Sequence, residues 1–223
     1  GDFVIAWESN LQDGDFYGIY AQRYTADGIK AGSEFLVNTE TSDRQRDSSI
    51  AMDADGDFVI AWQSYLQDGN VYGIYAQRYT ADGIKAGSEF LVNTETSNNQ
   101  QNPSIAMDAD GDFVIAWESY GKDTSDSNGV YAQRYTADGS TVGIEFRVNS
   151  YTPDNQLNPS VAMDADGDFV IAWQSLDQDP DDDSYGIYAQ RYTADGNTTG
   201  IEFPVNSYTT GEQRNPSIAM DAD

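Results

Sequence analysis

Three aspartates at alternate positions recur along this chain, and their type and spacing suit either a bound cation or a turn. They stand at Asp53, Asp55 and Asp57, at Asp108, Asp110 and Asp112, and at Asp164, Asp166 and Asp168. Asp221, Asp223 and Asp2 make a fourth set only if the two ends of the chain meet. A hard cation takes several oxygen ligands, so carboxylates at i, i+2 and i+4 around a glycine match the opening of a calcium loop. The closing glutamate of a twelve-residue calcium hand is absent. The alternative is structural, with Asp-Gly making a turn that the flanking aspartates cap. Carboxylates this close repel one another at low salt, which favours a bound calcium ion.

A second constellation pairs aromatic rings with amides and carboxylates. Trp7, Trp62, Trp117 and Trp173 each end an apolar run, next to Glu8, Gln63, Glu118 and Gln174. Acidic loops with aromatics such as Tyr65 and Tyr120 follow, and the segments between repeats carry Gln45, Gln100, Gln156 and Gln213. Rings that stack on C–H faces beside planar groups that bind hydroxyls are what a sugar site needs. In the competing reading the tryptophans fill the core and the glutamines tie loops to backbone. Paired carboxylates such as Glu8 and Glu118 suit glycoside hydrolysis, but the repeat pattern singles out no pair. Arg23, Arg78, Arg134 and Arg191 recur at one strand position, where pairing with a glutamate of the following strand is expected.

Composition removes other chemistries. There is no Cys and no His, which excludes disulfides, thiol catalysis and the usual neutral-pH general base. Lys plus Arg number 11 against 38 Asp plus Glu, and a formal charge of -27 argues against nucleic acid or an anionic membrane as partner. No apolar run approaches the roughly 18 residues of a membrane span. The opening without Met or signal peptide, inside a repeat, is expected of a piece of a longer chain.

The residues above must be positioned by a repeat. MDADGDFVIAW occurs from Met52, Met107 and Met163 and is split between Met220–Asp223 and Gly1–Trp7; Gly1, Gly56, Gly111 and Gly167 are 55, 55 and 56 residues apart. Each repeat holds four strand-like runs: SIAMD (Ser49 to Asp53), DFVIAW (Asp57 to Trp62), YGIYAQRY (Tyr72 to Tyr79) and EFLVN (Glu89 to Asn93). Phe58, Ile60 and Trp62 share one face of the second run and Val59 and Ala61 the other, so this strand is buried on both sides, between closely stacked sheets. The third run is expected to be less buried. The fourth carries Arg147 and Pro204 in its later copies and reads as an edge. ADGD and TADG have the chemistry of hairpin turns.

The expected fold is therefore all-β: a single β-propeller domain, 1–223, of four four-stranded antiparallel blades closed by pairing of the N- and C-terminal strands. The NPSIAMDADGDFVIAW, YGIYAQRYTADG and EFxVN segments resemble repeats of large secreted bacterial and cyanobacterial proteins of the adhesin or haemolysin-type calcium-binding kind. That resemblance implies an extracellular or cell-surface location. The functional expectation is a non-catalytic binding or adhesion module, stabilised by calcium, that presents variable loops to glycans or a cell surface. A structural spacer is the alternative, and a glycoside hydrolase a third reading.

Overall fold

The structure is a computed structural model and describes residues 1–124, 126–178 and 184–222. Its regular structure is β-strand, in two compact units, Gly1–Pro103 and Ser104–Asp223. The first unit contains a sheet of β1 (Phe3–Asn10), β2 (Tyr17–Tyr24) and β3 (Phe35–Leu36) and a sheet of β4 (Gln45–Met52), β5 (Phe58–Tyr65), β6 (Tyr72–Tyr79) and β7 (Phe90–Leu91). The second unit contains the sheet of β8 (Gln100–Met107, entered just before the boundary), β9 (Phe113–Tyr120), β10 (Asn128–Tyr135) and β11 (Thr141–Arg147). Its other sheet is β12 (Gln156–Met163), β13 (Phe169–Leu176), β14 (Tyr185–Tyr192) and β15 (Thr198–Pro204). Strand order follows chain order throughout, so each sheet is a meander. The fold class is all-β, with meander blades of the β-propeller type.

Within each unit the small-residue face of one sheet meets the large-residue face of the next. In the first unit Ile19, Ala21 and Val37 pack on Phe58, Ile60, Trp62, Tyr75 and Tyr79. In the second, Ala106, Val114, Ala116, Val130 and Ala132 pack on Val161, Phe169, Ile171, Trp173 and Tyr192. Ala and Val on one side leave room for Phe and Trp on the other, which is how sheets with two apolar faces approach at interior density.

Three features differ from the sequence expectation. The third strand is as buried as its neighbour: Ile74, Tyr75, Ala76 and Gln77 are all buried. The first strand begins earlier than Ser49, at Gln45, and a bulge interrupts its ladder between Arg46 and Ser49. Asp47 and Asn158, inside the ladder breaks of β4 and β12, and Asn102 and Asn215, at the corresponding repeat positions, take φ values of 52, 52, 53 and 55°, the left-handed region that asparagine tolerates best among ordinary residues. Finally, within the first unit the sheet of β1 to β3 has three strands where four-stranded blades are expected.

Candidate active site

The aspartate turns are held by their own carboxylates. Asp53 Oδ1 accepts the N–H groups of Asp55 and Asp57, both at 2.9 Å. Asp108 does the same for Asp110 and Asp112, and Asp164 for Asp166 and Asp168. The third aspartate ties this turn to the TADG turn: Asp57 Oδ1 accepts Ala81 N–H at 2.8 Å, Asp112 that of Ala137 at 2.9 Å, Asp168 that of Ala194 at 2.8 Å and Asp2 that of Ala26 at 2.9 Å. Asp55, Asp110, Asp166 and Asp221 are exposed, and Asp223 lies outside the described residues. Burial pushes the Asp108 carboxyl up against the pull of the backbone donors. Among the described residues no three carboxylates gather as a metal site. The turns line a cleft of about 360 Å³ in the first unit and one of about 490 Å³ in the second. Arg23 and Arg134 donate there to the carbonyls of Ala81 and Ala194, not to the strand-four glutamates expected as their partners.

The aromatic and amide set is mostly interior. Trp62, Trp117 and Trp173 are 0% exposed and their indole N–H groups meet no protein acceptor, so they form core and offer no face to a sugar. Trp7 is partly exposed. Gln45, Gln100 and Gln156 are also 0% exposed. Gln45 donates to Ser42 carbonyl, and Gln156 and Gln213 accept from Asn149 and Asn206, each at 3.2 Å. These glutamines therefore staple the connections between blades. Tyr65, paired with Tyr72 at a centroid distance of 5.0 Å, and Tyr120 retain exposure. The buried asparagines that complete the staple carry no signal of their own in a polar EFxVN end: Asn38, Asn93 and Asn149 Oδ1 accept the N–H groups of Ile19, Ile74 and Val130.

The residues after the tryptophans converge on the bulge. Glu8 Oε1 accepts Asp47 N–H at 2.8 Å, Gln63 Oε1 that of Asn102 at 2.9 Å, Glu118 Oε1 that of Asn158 at 2.6 Å and Gln174 Oε1 that of Asn215 at 3.0 Å. The four contacts are equivalent in geometry but not in chemistry. Only the first places two carboxylates together, and there Asp47-Ser48 replaces the Asn-Pro of the other three repeats. Asp47 is exposed to solvent, yet partial burial of its carboxyl and then the Glu8 charge push its pKa up, with Arg46 pulling the other way. Arg46 Nε stands 3.6 Å from Glu8 Oε2, and its guanidinium lies 4.2 Å over the Tyr17 ring. The sequence marks Asp47 as the lone acid in a column of asparagines, Asn102, Asn158 and Asn215, but not its contact with Glu8.

No protein-family model and no curated protein matches the sequence. Solved structures do resemble it. An endo-arabinase from Bacteroides thetaiotaomicron aligns with a TM-score of 0.52 at 15% identity, over 92% of this chain and 77% of that one. An alpha-L-arabinofuranosidase from Lactobacillus brevis gives 0.52 at 14% identity, over 93% and 74%. One from Fusarium graminearum, solved with an iminosugar inhibitor, gives 0.56 at 12% identity, over 91% and 66%. At these identities the likeness is one of fold. The similar structures are nonetheless glycoside hydrolases, which overturns the expectation of a non-catalytic adhesion module.

Proposed function

We propose that the chain cleaves glycosidic bonds in an arabinose-containing polysaccharide, with Glu8 and Asp47 as the working carboxylates. The observation that carries this reading is their contact at the bulge, where the other three repeats place at least one amide. Glycoside hydrolysis commonly uses two carboxyl groups, one of them held protonated by its surroundings. Asp47, raised by burial and by Glu8, is the proton donor to the leaving glycosidic oxygen. Glu8 stays oriented by its bond from the Asp47 N–H and by Arg46, and takes the proton of the water that attacks the anomeric carbon. Partly exposed Trp7, next in sequence to Glu8, supplies a ring for the sugar's C–H face. The endo-arabinase and the alpha-L-arabinofuranosidase among the similar folds support the substrate class. The test is release of reducing sugar from linear and branched arabinan and of aryl alcohol from an aryl arabinofuranoside. Turnover abolished in Glu8→Gln and Asp47→Asn is the expected result; no turnover of any of these by the unaltered chain overturns the reading.

A further inference from the structure

The connection that leads into the bulge carries two arginines in the first unit, Arg44 and Arg46, on either side of the buried Gln45. Their guanidinium groups lie over the rings of two consecutive residues, Arg44 5.1 Å from the centre of Phe16 and Arg46 4.2 Å from that of Tyr17. A planar guanidinium stacked on a ring keeps its N–H edge for partners in its own plane. Arg44 and Phe16 are both exposed. Among the described residues Arg44 makes no ion pair, and Arg46 makes one, with Glu8 at 3.6 Å, beyond hydrogen-bond distance; the Arg46 Nε is buried without an acceptor. Asp15, beside Phe16, is engaged by backbone: its Oδ1 accepts Phe16 N–H and its Oδ2 that of Asp43, each at 3.0 Å.

The other repeats show what these positions do for the fold alone. Where the first repeat has Arg44, the second and third have Asn99 and Asn155, whose Oδ1 atoms pin the loop by accepting the N–H groups of Tyr72 at 3.4 Å and Asn128 at 2.9 Å. An arginine side chain has only donors and gives up that bond. In the fourth repeat Arg214 stacks on Tyr185 at 4.3 Å, as Arg46 does on Tyr17. There, however, Glu212 holds the position of Arg44 and meets Arg214 at 2.6 Å. The first repeat reverses the charge beside the stack, so that two guanidinium groups stand where the fourth has a closed ion pair. Phe16 is also particular to it, since the other repeats have Val71, Ser127 and Ser184 there. The departures Phe16, Arg44 and Asp47 all fall in the first unit, and Arg46 joins them to Glu8.

We propose that Arg44 and Arg46 form a subsite for the carboxylate of an acidic sugar, so that the polysaccharide cut at Glu8 and Asp47 carries uronic acid residues; the cleavage half of this statement rests on the hydrolytic reading above. A guanidinium pairs with a carboxylate through two parallel N–H···O bonds, a geometry that an ammonium does not offer. The formal charge of -27 repels an anionic polymer at long range. At physiological salt that field is screened within about 8 Å, whereas the two arginines act at contact. They also fix how the polysaccharide lies, with its acidic sugar on the Phe16 and Tyr17 side of Glu8.

The experiment is isothermal titration calorimetry of the whole chain with a galacturonic acid trimer, with its methyl ester and with a sulfated neutral trisaccharide. The acid trimer is expected to bind about tenfold more tightly than the other two, the worth of one hydrogen bond to a charged group. Arg44→Asn, which takes the residue of the second and third repeats, is expected to melt as the parent does and to lose that preference. Arg44→Gln, which keeps a stem over Phe16, is expected to lose it as well and decides the matter where the first variant fails to fold. No binding of the acid trimer, equal binding of acid and ester, binding of the sulfated sugar as tight as that of the acid, or a preference retained in the variants overturns the proposal. Because binding alone is read, a chain that takes the acid trimer through Arg44 yet releases no sugar from arabinan fails the hydrolytic reading and leaves the carboxylate subsite standing.

Discussion

Glu8 accepts the backbone N–H of Asp47 at 2.8 Å, which fastens the end of β1 to the bulge that opens β4. The bond needs only an acceptor at one position and a residue content with a positive φ at the other. Glutamine and asparagine meet both needs in the second and fourth repeats, at 2.9 and 3.0 Å. A carboxylate at the first position strengthens that bond, as Glu118 shows at 2.6 Å, whereas an aspartate at the second adds nothing to it and is less suited than asparagine to left-handed backbone. The bond therefore does not account for the Asp47 carboxyl.

Because the second repeat already holds Gln63 against Asn102, Glu8→Gln and Asp47→Asn recreate a geometry the fold tolerates. Each variant is expected to melt within about 0.5 kcal/mol of the parent, as surface changes usually do. Arabinan hydrolysis is expected to fall by about 10² to 10⁴ in each, the range of general acid–base catalysis. Parallel loss of activity and stability would instead mark the pair as structural.

The raised pKa of Asp47 sets the sign of two pH effects. The folded chain holds this proton more tightly than the unfolded chain, so the group's stabilising contribution is full below about pH 4, the ordinary aspartate value, and is lost as pH rises through the raised value. Urea unfolding of the parent and of Asp47→Asn across that window is expected to show the parent losing ground to the variant as pH rises. Hydrolysis is expected to decline over the same window on its alkaline side, as the donor deprotonates.

Trp62 is core, so its removal is expected to act on stability rather than on ligand affinity. Trp62→Ala is expected to cost about 3 to 5 kcal/mol, from lost burial and the cavity left behind. Trp62→Phe costs less, because the indole N–H has no protein acceptor to lose. Chemical denaturation of both variants, with arabinan binding measured on the folded one, checks this.

Asp53→Ala removes the acceptor of two turn N–H groups and is expected to cost about 1 to 2 kcal/mol, while Asp53→Asn, which keeps an oxygen there, costs much less. Equal losses in the two variants, measured by urea unfolding, would show that charge rather than hydrogen bonding holds the turn.

Most of the architecture was legible in local pattern. The period of the MDADGDFVIAW motif, the alternation of Phe58, Ile60 and Trp62 with Val59 and Ala61, and the Asp-Gly turns point to meanders that stack large face on small face, as Ala21 and Val37 do against Trp62 within the first unit. These are properties of neighbours in sequence, and a period of two carries them directly.

The site was not legible in the same way, because its members are neighbours only across the fold. Trp7 and Trp62 both end a GDFVIAW run, yet one is partly exposed and the other is buried against Ile19, Ala21 and Val37 of the neighbouring sheet. Asp47 meets Glu8 across 39 residues through a bulge that breaks the strand's alternation, so no periodicity reading reaches it. Sequence by itself determined the repeat, its strands and its turns, where each choice is made by local sterics and hydrogen bonding. Tertiary structure decided which of the repeated side chains are covered and that the Glu8 carboxylate meets the Asp47 backbone, because burial and through-space contacts are set by packing partners that local sequence does not specify.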